Sequence, residues 1–149
     1  MITTSIIILL AVVGPIVYFN SMRVRGERRM LKMLQHLATA NNSNIDEYDV
    51  WGNVAIGIDK TSKKLFYVTS DEKKDVVIDL SFVKRCKEVE TRSKSKIWVE
   101  QLELAFELVN SQADVSLLFY SAHNNNFSIS NENELLRKWQ ERANSLIAR

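Results

Sequence analysis

The chain has 149 residues, with 20 Lys and Arg against 18 Asp and Glu, a size that holds one domain with an appendage and no more. Its 46% apolar content excludes wholesale disorder, and its single Cys excludes an intrachain disulfide framework and a cysteine-built zinc site. The near-balanced total conceals a division: residues 1–20 carry no charged side chain, so every one of the 38 charges falls in residues 21–149.

Ile2 to Phe19 is an uncharged run of 18 residues rich in Ile, Leu and Val. As a helix it would extend roughly 27 Å, close to the hydrocarbon thickness of a bilayer. Pro15 after Gly14 would break a soluble helix but is tolerated as a kink in lipid. Tyr18 and Phe19 stand where aromatic rings favour the interface. Arg23, Arg25, Arg28, Arg29 and Lys32 follow, opposed over residues 21–34 only by Glu27, a net of +4. Positive charge just beyond an apolar span stays cytoplasmic, which predicts an outside N-terminus and an inside C-terminal domain at the inner membrane. A cleaved secretory signal would put its cations before the apolar run and small residues after it. Here the cations follow, and Val17-Tyr18-Phe19 is a poor cleavage context.

The expected division is a transmembrane anchor over 1–22, a basic juxtamembrane helix and linker over 23–44, and a folded domain over 45–149. Met30, Leu34 and Leu37, flanked by Met33 and Ala38, recur at the helical period from Arg28 to Ala40, and Asn41-Asn42-Ser43-Asn44 stops the helix. Two roles fit it: lying on anionic headgroups, or packing on the following domain with its arginines setting topology. His36 has no partner three or four residues away and reads as a solvated surface residue.

Beyond residue 45 the period becomes that of strands. Trp51 to Ile58 reads as one β-rich run, Asp59 to Lys64 as its turn and Leu65 to Thr69 as the returning strand. Val76 to Leu80 is a third strand, and Ser81 to Thr91 a less regular or edge strand. In Ile97 to Val109, Trp98, Leu102, Leu104, Phe106 and Leu108 share one parity while Gln101, Glu103 and Glu107 share the other, as one buried sheet face requires. Val115 to Tyr120 and Phe127 to Ile129 complete about seven antiparallel strands. A final helix follows, N-capped by Asn131 with Glu134 three residues on, its apolar stripe running through Leu135, Leu136, Trp139, Ala143, Leu146 and Ile147. Trp51, Trp98 and Trp139 are expected in the core.

This order is α+β, mainly β. Together with Asn53-Val-Ala-Ile-Gly-Ile-Asp59, Leu65-Phe-Tyr67, Val77-Ile-Asp-Leu80, Phe119-Tyr120 and the Leu136–Trp139–Ala143 helix, it resembles the pleckstrin-homology-like superfamily, in a bacterial membrane-tethered form. The resemblance covers about two-thirds of the chain. It implies a partly open antiparallel barrel capped by the C-terminal helix through Leu136, Trp139, Ala143 and Leu146. It also implies possible anionic-headgroup contacts on the first hairpin, matched here by Lys60, Lys63 and Lys64. The Arg that the family's headgroup pattern places on the second strand is absent, with Phe66 and Tyr67 standing there.

Lys84, Arg85, Lys87, Arg92, Lys94 and Lys96 form a second basic stretch, read as a solvated edge strand and loop. Residues 35–149 carry 15 positive against 17 negative charges, so nucleic acid is not an expected partner. Cys86 has no local His and reads as a buried structural thiol. No phosphate loop, dinucleotide fingerprint, nucleophile elbow or His-x-x-x-His pair is present, so no catalytic residue, cofactor or metal ligand is assigned. The expectation is a non-enzymatic, single-pass scaffold held in the bilayer through residues 2–19, presenting its domain to a protein or peptide partner, with anionic lipid as the alternative ligand.

Overall fold

The computed structural model describes residues 25–70, 75–110, 113–122 and 129–147. The expected anchor over 2–19, Arg23, His123 and the strand residues Phe127 and Ser128 lie outside them. Among the described residues, no helix is long and apolar enough to cross a membrane.

Helix α1 occupies residues 25–40. Met30, Leu34 and Ala38, four residues apart, are its buried stripe. It ends where the Asn-rich segment begins. Asn42 takes the left-handed conformation, with φ of 57°, and Asn42 N–H donates to Thr39 O while Ser43 N–H donates to Ala38 O. That pair of bonds satisfies the last carbonyls and turns the chain sharply away.

Four antiparallel strands follow in sequence order: β1 Glu47–Trp51, β2 Val54–Asp59, β3 Lys64–Thr69 and β4 Asp75–Asp79. A 3-10 turn, Leu80–Phe82, leads to a second antiparallel sheet of β5 Val83–Arg92, β6 Val99–Leu108 and β7 Val115–Ser121. Helix α2, Ile129–Ile147, closes the domain. The architecture is thus α+β and mainly β, with sheets of four and three strands and a C-terminal helix.

The two sheets and α2 share one core. Ile56, Ile58, Leu65 and Ile78 from the first sheet meet Leu102, Leu104, Phe106, Leu117 and Phe119 from the second, with Leu136, Trp139 and Ala143 of α2 between them. Leu146 is partly buried against the same cluster. The first sheet is buried on its other face as well: Ala55, Phe66 and Val68 pack on Met30, Leu34 and Ala38 of α1. Helix α1 is therefore packed on the domain that follows it. Gly57 makes this approach possible, because a Cβ there would lie 2.7 Å from Leu34 Cδ2.

Several expectations need correction. The run from Trp51 to Ile58 is interrupted: Gly52-Asn53 is a two-residue turn, with Gly52 at φ of 50°, and the segment before it is strand β1. Such a positive φ is what glycine permits at a tight hairpin turn. Ile129 begins α2 rather than ending a strand, and Asn131 stands inside the helix rather than ahead of it. The diagnostic alternation does form a strand, but it starts at Val99; Trp98 is left in the β5–β6 turn and is exposed rather than in the core. The irregular segment after Leu80 resolves into the 3-10 turn and β5, an edge strand with register shifts near both ends.

Candidate functional site

A shallow groove of about 720 Å³ lies between α1 and the start of β4. Arg25, Arg28, Arg29, Lys32, Met33, His36, Leu37 and Ala40 line it from α1, and Asp75 from β4. Their spacing of three and four residues puts them along one side of the helix, beside the stripe buried on the sheet. Arg25, Arg28, Arg29, Lys32 and His36 are exposed. Four of the five cations expected to set topology are thus gathered on one wall, against the single carboxylate of Asp75. Met33, Leu37 and Ala40 give the wall an apolar floor. Nothing in the sequence paired Asp75 with this helix, because the two meet only through the packing of α1 across the first sheet.

Beside the groove runs β4, the outer strand of its sheet, with Asp75 exposed and Val77 38% exposed. The other three outer strands are tied to elements beyond their own sheet. At β1, Asp49 Oδ2 accepts from Trp139 Nε1 and Lys138 Nζ of α2, each at 2.8 Å, and Glu47 Oε2 lies 2.8 Å from Arg142 Nε. At β5, the Asn144 side chain pairs with both backbone groups of Cys86, accepting from its N–H at 3.0 Å and donating to its carbonyl at 3.1 Å. At β7, the carbonyls of Leu118 and Phe119 accept from Tyr67 Oη at 2.6 Å and Trp51 Nε1 at 3.1 Å. At β4, by contrast, no hydrogen bond or ion pair to an element beyond β3 and the following turn is found among the described residues.

Lys60, Lys63 and Lys64 sit together on the β2–β3 turn, at the end of the sheet next to the C-terminus of α1. Because β1 exists, this is the second hairpin; the first turn, Gly52-Asn53, carries no cation. Lys60 Nζ is 2.8 Å from Glu47 Oε1, and Lys64 Nζ donates to Asn41 O at 3.3 Å. Asp59 organises the turn by accepting from the N–H groups of Asn44, Thr61 and Ser62. Burial alone would raise its pKa, but the hydrogen bonds from Asn44, Ser62 and Thr61 hold it below the usual aspartate value.

The second basic stretch is largely paired. Lys84 and Arg85 share Glu107 at 3.8 and 2.6 Å, Lys87 lies 3.3 Å from Asp114, and Arg92 lies 2.6 Å from Glu90. Cys86 is buried, and burial pushes its thiol up to about 12. Comparison with protein-family models, curated proteins and solved structures finds no match for this chain.

Proposed function

We propose that this chain is a single-pass, membrane-anchored, non-enzymatic interaction protein whose cytoplasmic domain is pleckstrin-homology-like and holds a protein partner by strand addition at β4. The sequence of a four-stranded sheet, a three-stranded sheet and a closing helix supports the fold reading. The uncharged run over 2–19 and the cations after it support the anchor and its orientation. A thiol kept protonated by burial supports a structural Cys86.

The observation that carries the reading is the open Asp75–Asp79 edge beside a cationic groove. An added strand would take its affinity from main-chain hydrogen bonds along β4, and its selectivity from side chains reaching Val77 and the groove. Tethering raises the local concentration of any membrane partner, so modest intrinsic affinity suffices. Lys60 and Lys64 already have protein partners, which favours this reading over headgroup binding at their turn.

A photo-crosslinking residue in place of Val77 is expected to give one discrete protein adduct in native membranes, which Val77→Lys in the partner-capture experiment abolishes. The same probe at exposed Lys84 should give none. Equal labelling at both positions refutes the assignment.

A further inference from the structure

We infer that the β5–β6 turn is a second membrane contact, resting Ile97 and Trp98 in the headgroup region of an anionic bilayer and fixing the orientation of the domain on it. This rests on the anchored reading above.

The turn is rigid at its base and apolar at its tip. Ser93 is buried; its N–H donates to Trp98 O at 3.0 Å, and its carbonyl accepts from Lys96 N–H at 2.8 Å. Lys96 takes φ of 56°, and the hydroxyls of Ser93 and Ser95 lie 3.2 Å apart. These bonds hold both backbone groups of Ser93 and close the base of the turn, while Ile97 is 75% exposed and Trp98 56% exposed. Lys94 and Lys96 are exposed beside them. Among the described residues neither lysine has an ion-pair partner. An exposed indole and an aliphatic side chain framed by cations match the chemistry of a lipid interface: the ring is amphipathic and the ammonium groups meet phosphate.

Phe82 and Val109 are also exposed, joined by the bond from Val109 N–H to Phe82 O. There the neighbouring Lys84 and Arg85 share the carboxylate of Glu107, so that patch carries less unpaired positive charge than the Lys94 and Lys96 tip.

Position in the fold decides the occupant. Helix α1 ends beside the β2–β3 turn, where Asn41 meets Lys64 and Ser43 meets Ser62, so its first residues, which share a groove with Asp75, lie toward the opposite end of the sheet. Asp75 pairs with Val68, Val68 with Ala55 and Ala55 with Val50, so Trp51 lies at that same end. Trp51 packs on Phe119 with ring centroids 4.8 Å apart. Beyond Phe119, Ser121 pairs with Gln101 and Ala122 N–H donates to Glu100 O, and two residues further back along the chain is Trp98. The tip of the second sheet and the start of α1 therefore share one end of the domain. The chain enters α1 from the apolar run, so this is the end that faces the bilayer. The cations of Arg25, Arg28 and Arg29 stand on that end too.

The test uses the full chain in vesicles of phosphatidylcholine and phosphatidylglycerol in equal parts. Flotation after alkaline carbonate is scored first: a chain that fails to float overturns the anchor and the docking together. In a chain that floats, a nitroxide-labelled lipid is expected to quench the Trp98 component of the emission, read as the difference from Trp98→Phe, while iodide leaves that component unquenched. Trp139 is buried and contributes to neither signal. Each lysine near an anionic surface is worth about fivefold in contact strength, so K94E/K96E should abolish lipid quenching and restore iodide access. Pure phosphatidylcholine should weaken it likewise. Trp98 open to iodide and untouched by the labelled lipid overturns the docking alone. Protection from both quenchers, the signature of a protein partner or a second copy on the tip, overturns it equally.

Discussion

The indole Nε1 of Trp139 donates to Asp49 Oδ2 at 2.8 Å, joining the buried centre of the last helix to the first strand across 90 positions of sequence. Trp139 is fully buried, so its N–H has no water to fall back on. Asp49→Ala should therefore cost about 1–3 kcal/mol, the penalty of stranding a buried donor, whereas Asp49→Asn, which retains an oxygen, should cost less. Urea unfolding of the full chain in detergent, followed by near-ultraviolet circular dichroism, measures both. In a Trp139→Phe background the Asp49→Ala effect should shrink toward that of the exposed Lys138 pair, below about 1 kcal/mol.

Gly57 and Leu34 make a second, steric prediction. A Cβ at Gly57 would meet Leu34 Cδ2 at 2.7 Å and Ile45 Cδ1 and Cγ2 at 3.1 Å. Gly57→Ala should cost about 1–3 kcal/mol as overpacking, and Leu34→Ala about 2–5 kcal/mol as a cavity. The double variant should be more stable than the sum of the two losses, because the added methyl occupies part of the space that Leu34 vacates. Strict additivity in urea unfolding would mean that α1 does not pack on the sheet at this point.

The same contact explains what was legible in the sequence. Strand β6 was readable because one of its faces is wetter: Gln101 and Glu103 alternate with buried Leu102, Leu104 and Phe106. In β2, Ala55, Ile56, Gly57 and Ile58 are all buried, Ile56 and Ile58 toward the main core and Ala55 and Gly57 toward α1. With both faces covered, alternation vanishes and the run merges with Trp51, which hid the Gly52-Asn53 turn and β1 before it. The missing alternation was itself the signal that a second layer covers the sheet. Glu47 and Asp49 gave no sign of β1 in the sequence because their partners, Arg142 and Lys138, stand on the last helix. The cations of the groove were legible as a cluster after an apolar run, but their meeting with Asp75 depends on the docking of α1. Trp98 misled by parity: it continues the alternation of β6 past the point where the backbone leaves the sheet.

Asp59 predicts how stability depends on pH. Its folded-state pKa is lowered, the hydrogen bonds from Asn44, Ser62 and Thr61 outweighing the opposing effect of burial. The unfolded chain thus takes up the proton first on acidification. The stabilisation is fully present above the ordinary aspartate range and is lost as pH falls through the folded-state value. Asp59→Asn should lower the urea midpoint at neutral pH and flatten its decline in acid. Its amide nitrogen cannot accept from Asn44 N–H as Oδ2 does at 3.0 Å. An unchanged acid slope would place the titration elsewhere, Glu47 being the next carboxyl held low, first by its hydrogen bond from Lys60.

Cys86 reports on the seam between α2 and β5. Burial pushes its thiol up to about 12, so at mildly alkaline pH the folded protein presents a protonated, inaccessible sulfur. An aromatic disulfide reagent should label it only through opening of the structure. The Asn144 amide holds both backbone groups of Cys86, standing in for a neighbouring strand on an edge that would otherwise be open. Asn144→Ala removes two hydrogen bonds at about 0.5–1.5 kcal/mol each, which predicts labelling faster by about fivefold to over a hundredfold under conditions where reclosing outpaces modification. Asn144→Asp can still accept from Cys86 N–H but sets a carboxylate against its carbonyl, and should label at least as fast. Labelling of the Asn144→Ala chain at the original rate would show that α2 is held to β5 by its apolar contacts alone.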